Sequence, residues 1–216
     1  SPGPDISRYQ NISVPTSYMA VNSAYDFVGG YEHDTRAGVL HVADHHVSPG
    51  KKQWTWGNGD FGLAWDRNLT DEDGPYIELM TGMFTDNQPD FSWLMPYEEK
   101  SFTQYFLPYR ELGLVKNATK DILLGMDKNE QVIGLKIFAT SVQHDRTIRV
   151  KQGANILLEE TVNLSPEVVY TRQMAVENVA LSLPVQITLY NGQGIELISY
   201  SDEPIHKDIH EAAKPA

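Results

Sequence analysis

The sequence contains no cysteine. That excludes a disulfide framework, a thiolate metal site and a cysteine nucleophile. Positive charge is scarce as well: 17 basic side chains stand against 29 acidic ones, giving a formal net charge of −12. Gripping a nucleic-acid backbone takes clustered Lys and Arg, so no nucleic-acid partner is expected. No apolar run approaches the roughly 18 residues of a membrane-spanning helix, so no membrane partner is expected either. The opening SPGPDISRYQ lacks the basic stretch and apolar run of a signal peptide. Aromatics are nearly missing from the second half. Of 7 Phe, 4 Trp and 11 Tyr, the only ones after Glu111 are Phe138, Tyr170, Tyr190 and Tyr200. This imbalance predicts two domains, residues 1–112 and 113–203, with 204–216 a linker or the start of a further segment.

The second half reads as seven short strands: Asp121–Asp127, Val132–Thr140, Arg146–Lys151, Asn155–Thr161, Val168–Val176, Val185–Tyr190 and Ile195–Tyr200. Turn signals such as Asp127-Lys-Asn-Glu and Asn191-Gly-Gln-Gly separate them. In RTIRVK, Ile148 and Val150 point one way while Arg149 and Lys151 point the other. Seven strands spaced near ten residues predict an immunoglobulin-like antiparallel β-sandwich with a structural or spacer role.

The first half is rich in Gly, Asp, Asn, Trp and Tyr. Its strand-like pieces are Ser17–Asn22, Ala37–Ala43, Gln53–Gly57, Leu63–Asp66, Tyr76–Thr81 and Lys100–Pro108. Clean 3.6-residue periodicity longer than ten residues is absent, so helices are expected to be scarce and the fold class all-β. Long loops on a β-scaffold are where sites tend to be built.

Three stretches of this half carry candidate chemistry. VADHHVSPGKKQWTWGNG brings His45, Lys52, Trp54 and Trp56 close together in sequence. On a strand, Trp54 and Trp56 share one face, suited to the C–H face of a sugar, with polar neighbours for its hydroxyls. Filling a core is the competing role for these rings. If His45 and His46 also lie on a strand they point to opposite faces, so at most one faces a given site and no metal is expected there. DRNLTDEDG, residues 66–74, is acidic, but its glycine is misplaced for a calcium loop, and an acidic surface turn is expected. PYIELMTGMFTDNQPDFSWLMPYEEKSFTQYFLP is the richest stretch. It holds Glu78, Asp86, Asn87, Gln88, Asp90, Trp93, Glu98 and Lys100. Mixed carboxylates, amides and rings fit a ligand-facing loop, and two carboxylates across a site can act as acid and base. Glu78 stands among apolar neighbours in PYIELM, where burial raises a carboxyl pKa. A turn-rich loop, with Glu98–Lys100 a solvated charge cluster, is the plainer reading of the same residues.

GGYEHDTRAGVLHVADHHVSPGKKQWTWG and WDRNLTDEDGPYIELMTGMFTDNQPDFSWLMPYEEKSFTQYFLPY resemble an uncharacterised bacterial domain family often found ahead of tetratricopeptide repeats. That family is similar to the galactose-mutarotase-like supersandwich proteins, which bind or process carbohydrates. The resemblance runs from about Tyr18 to Tyr109. It implies the C-terminal half of a supersandwich, followed by the β-sandwich, and hence a chain that is part of a larger protein. An apolar face left by the missing N-terminal half would be covered by that half or by another protein chain. The resemblance implies a saccharide ligand, and the aromatic and carboxylate-rich loops make Glu78, Asp90 and Glu98 the candidate catalytic carboxylates. His45, Lys52, Trp54, Trp56, Asp86, Asn87, Gln88, Trp93 and Lys100 are the candidate substrate contacts. No cofactor is expected. A glycoside-hydrolase-like or mutarotase-like activity, a non-catalytic sugar-binding module and an assembly domain all remain compatible with the sequence.

Overall fold

The computed structural model describes residues 4–20, 23–84, 92–175 and 183–204. Two compact units divide the chain, residues 1–123 and 124–216. The described residues are all-β apart from one short α-helix and a 3-10 turn at Tyr9–Asn11. None of their helices is long and apolar enough to cross a membrane.

The strands of the first half are β1 (Thr16–Met19), β2 (Phe27–Glu32), β3 (Ala37–Val42), β4 (Lys52–Thr55), β5 (Ile77–Met80) and β6 (Tyr105–Arg110). They form two three-stranded antiparallel sheets, ordered β1-β4-β5 and β2-β3-β6. In the second sheet the register pairs Leu40 with Leu107 and Gly38 with Tyr109. Leu40 and Tyr109 are buried, while Val39 and Phe106, which alternate to the opposite face, are 57% and 65% exposed. Tyr109 stacks on Tyr31, with ring centroids 5.8 Å apart. Gly38 makes room for that ring: a Cβ there falls 2.6 Å from Tyr109.

Helix α1 (Asp60–Leu69) follows β4. Leu63–Asp66, expected as a strand-like piece, is therefore helical. The helix starts after an extended Gly59, and Asp60 sits in its first turn, where a carboxylate suits the positive end of the helix dipole. Its buried residues are Gly62 and Asp66, one turn apart, so the inward face presents no apolar stripe.

The remaining strands are β7 (Val115–Ala118), β8 (Ile122–Lys128), β9 (Val132–Ala139), β10 (Gln143–Gln152), β11 (Asn155–Leu164), β12 (Tyr170–Ala175), β13 (Val185–Tyr190) and β14 (Glu196–Ser201). They form two four-stranded sheets, β11-β10-β13-β14 and β12-β9-β8-β7. Ile133, Leu135 and Ile137 of β9, Ile148 and Val150 of β10, and Ile187 and Leu189 of β13 are fully buried. They alternate with exposed or half-buried neighbours in most places, the period-2 signature of strands that face a core on one side. Ile148 pairs with Leu189 and Val150 with Ile187. Arg149 turns outward to the Glu159 carboxylate, as the alternation of RTIRVK requires. Glu160 of β11 accepts hydrogen bonds from Tyr170 and Arg172 of β12, tying the edge strand of one sheet to that of the other. The Arg172 hydrogen bond holds the Glu160 carboxyl below its usual pKa.

Candidate functional site

The register of the β1-β4-β5 sheet decides which of the expected residues meet. Trp54 pairs with Ser17 on one side and with Glu78 on the other, while Lys52 pairs with Met19 and Met80. Directly opposed residues share a face, as do residues two apart along a strand. Lys52, Trp54 and Glu78 therefore lie on one face of the sheet. Trp56, just past the end of β4, remains beside Trp54, with ring centroids 5.3 Å apart in an edge-to-face arrangement. Tyr76 hydrogen-bonds the Glu78 carboxylate, which holds the phenol proton and raises the tyrosine pKa.

Helix α1 extends this aromatic surface. Trp65 stacks on Trp56, the rings nearly parallel at 10° and 4.5 Å apart, and the exposed Phe61 stands edge-on to both. Phe61 and Trp65 are four residues apart, so they share one face of the helix. The buried Trp56 Nε1–H has no hydrogen-bond partner among the described residues. Trp65 and Phe61 lie outside the residue set anticipated from sequence. Their i, i+4 spacing is the signal that marks them, but it becomes readable only once the segment is known to be helical.

Two features dock the helix. A Cβ on Gly62 falls 1.7 Å from the Gly57 carbonyl oxygen, so only glycine lets the first turn approach the Trp56–Gly57 backbone. The Asp66 carboxylate accepts the Tyr76 backbone N–H at 3.1 Å and lies 2.9 Å from the Tyr9 hydroxyl. Burial, with the Asp66 hydrogen bond, pushes the Tyr9 phenol up to about 12. Asp66 is thus a buried clamp and not part of an acidic surface turn, whereas Asp71, Glu72, Asp73 and Gly74 are exposed.

The expected ligand loop behaves differently. Asp86, Asn87, Gln88 and Asp90 lie outside the described residues. Trp93 is 74% exposed. Glu98 closes its own turn: its carboxylate accepts the Met95 N–H at 2.9 Å and lies 3.8 Å from Lys100 Nζ. Lys100 also stands over the Phe84 ring, 5.1 Å from its centroid.

His45 belongs to a separate feature. The chain turns at residues 44–48, with Val47 N–H and Ser48 N–H bonded to the Asp44 carbonyl. His45 and His46 are therefore in a turn and not on a strand, and their rings lie side by side with centroids 3.9 Å apart. This corrects the expectation that they point to opposite faces. Asp26 Oδ1 accepts both the backbone N–H of His45, at 2.9 Å, and its Nδ1, at 2.7 Å. Asp44 Oδ1 holds His46 in the same way, both at 2.9 Å. The turn borders a cleft of about 460 Å³ lined by Asp26, Asp44, Val47, Phe102, Tyr105 and Lys120, among others. That volume lies in the range of small-molecule pockets.

Two basic side chains of this half are buried. Lys51 donates to the Tyr25 carbonyl, and burial lowers its pKa against the opposing pull of Asp26. His41 bonds Gln104 at 3.0 Å, and burial lowers its pKa in spite of that bond.

Comparison with known families separates the two halves. Residues 1–109 match the family described as a domain of unknown function, DUF5107. Residues 117–200 match the second domain of YphG-like proteins. No solved structure matches the chain.

Proposed function

The chain belongs to DUF5107, a family of unknown function, and from that premise we propose that its first half binds a neutral saccharide on the aromatic face of the β1-β4-β5 sheet. The observation that carries the reading is the register that sets Trp54 beside Glu78. An indole face takes the apolar C–H face of a pyranose, and a neighbouring carboxylate accepts hydrogen bonds from its hydroxyls. Lys52 and Tyr76 supply further polar contacts, and Trp56 widens the platform. The sequence resemblance of this half to galactose-mutarotase-like supersandwich proteins, which bind or process carbohydrates, supports the same ligand class. Glycoside hydrolysis requires a second carboxyl group within roughly 5–10 Å of Glu78 across a cleft. Glu98 is engaged in its own turn, so the described residues favour binding over hydrolysis.

A glycan array probed with the purified chain, followed by calorimetry on the best ligand, tests the proposal. Binding lost in Trp54→Ala, together with no turnover of the bound sugar, is the expected result. No saccharide on the array, or an unchanged affinity in the variant, overturns it.

A second reading rests on the β2-β3-β6 sheet, whose Val39 and Phe106 stand on one face and are largely exposed. An apolar face of this kind suits assembly with the N-terminal half of a longer protein or with another chain. Self-association that Phe106→Glu abolishes is its signature in analytical ultracentrifugation.

A further inference from the structure

We propose that Asp44, His45 and His46 form a three-ligand site for a zinc-class divalent metal at the edge of the cleft. The three residues bring one ligand atom each within 4.8 Å of the other two. Two imidazoles and one carboxylate are the borderline nitrogen and oxygen donors that suit zinc, cobalt or nickel. Calcium and magnesium prefer sites made of oxygen alone. Donors around a tetrahedral zinc are about 3.4 Å apart, given metal–ligand bonds near 2.1 Å. The cluster closes on a metal through side-chain rotations of Asp44 and His46, whose 62% and 76% exposed side chains leave room for them.

The carboxylates around the histidines carry the argument further. Asp26 takes Nδ1 of His45, and Asp44 takes Nδ1 of His46. A carboxylate is an acceptor, so each Nδ1 carries the proton and each Nε2 keeps its lone pair. A metal-binding histidine characteristically has one ring nitrogen held by a carboxylate and the other free to ligate. Asp26 is then a positioning residue for His45, whereas Asp44 exchanges its contact with His46 Nδ1 for the metal when it ligates. Three protein ligands leave a fourth position open, as catalytic zinc sites do. Asp26 and Asp44 both line the cleft, which places the site at its edge. The saccharide reading of the aromatic face is not needed for this site and does not follow from it.

The test is calorimetric titration of zinc chloride into the chelator-stripped chain. One equivalent of zinc bound is expected. His46→Gln is the primary variant, since the side chain is largely exposed and its loss leaves the fold intact by circular dichroism. It is expected to weaken zinc binding at least tenfold, as is His45→Gln. Asp26→Asn is expected to weaken it roughly 10–100-fold while leaving all three ligands in place. The sequence holds a further histidine pair, His206 and His210, so His206→Gln/His210→Gln serves as the control and is expected to retain binding. Absence of zinc binding overturns the proposal. So does binding that survives His46→Gln and disappears in the His206/His210 variant.

Discussion

Trp54 and Glu78 are directly opposed across neighbouring antiparallel strands, although 24 positions separate them in sequence. An aromatic ring and a carboxylate on one sheet face are thereby joined by backbone register alone. Trp54→Ala is predicted to reduce saccharide affinity by at least about tenfold, corresponding to ~1.4 kcal/mol, with Trp54→Phe retaining part of it. Glu78→Gln keeps the shape but loses the charge, and is expected to weaken binding less than Trp54→Ala does. Calorimetry on the same ligand measures all three. Equal affinity in wild type and Trp54→Ala removes the platform from consideration.

Gly62 has a similar role for the helix. Its α-carbon lies so near the Gly57 carbonyl that a methyl group cannot be accommodated without moving α1. Gly62→Ala improves intrinsic helix propensity by roughly 1 kcal/mol, yet is predicted to destabilise the protein by more than about 2 kcal/mol. The displaced helix also lifts Trp65 off Trp56. Near-ultraviolet circular dichroism is therefore expected to lose its tryptophan signal in the variant. A stabilised protein with an unchanged spectrum rules out this docking mode.

What the sequence reveals depends on whether the burying face is apolar. The strands of the second half are legible because Ile148, Val150, Ile187 and Leu189 alternate with polar neighbours and all turn inward. Helix α1 is not legible, because the residues it buries are a glycine and an aspartate. β2 is hidden by Gly29 and Gly30 in its middle, and β7 by being only four residues long and largely polar. Trp54, Trp56, Lys52 and Glu78 can be picked out by residue type, but only the register shows that Glu78 shares the face of Lys52 and Trp54. The histidine turn is the hardest to read. Its geometry depends on Asp26, 19 residues upstream, and no local pattern predicts that contact.

In the second unit, Asp202 joins three chain segments. Its Oδ1 accepts the Val185 N–H at 2.5 Å, and its Oδ2 lies 3.0 Å from Lys128 Nζ, which also donates to the Leu183 carbonyl. The two side chains are only 21% and 10% exposed. Removing the carboxylate leaves the lysine charge poorly compensated, whereas an amide still accepts from Val185. Asp202→Ala is predicted to cost about 2–3 kcal/mol and Asp202→Asn about half of that. Urea unfolding monitored by far-ultraviolet circular dichroism distinguishes them, and similar losses from both variants contradict the proposed division of labour.

The buried tyrosines make stability fall at alkaline pH. A tyrosine phenol ordinarily titrates near 10, and in the fold Tyr9 is pushed up to about 12, by burial first and then by its hydrogen bond to Asp66. Burial likewise pushes Tyr109 up to about 12. Below pH 10 both the folded and unfolded chains keep these protons, and the stabilisation is fully present. Between 10 and 12 the unfolded chain releases them while the folded chain still holds them, so unfolding gains free energy as pH rises. The urea midpoint is therefore predicted to drop between pH ~9 and pH ~11.5. Tyr9→Phe lacks one of these titrations and is expected to show a shallower decline. It starts from a stability about 1–2 kcal/mol lower, because the hydrogen bond to Asp66 is gone. A decline as steep in Tyr9→Phe as in the wild type shows that the Tyr9 phenol keeps its ordinary pKa and that its contact with Asp66 is not maintained in solution.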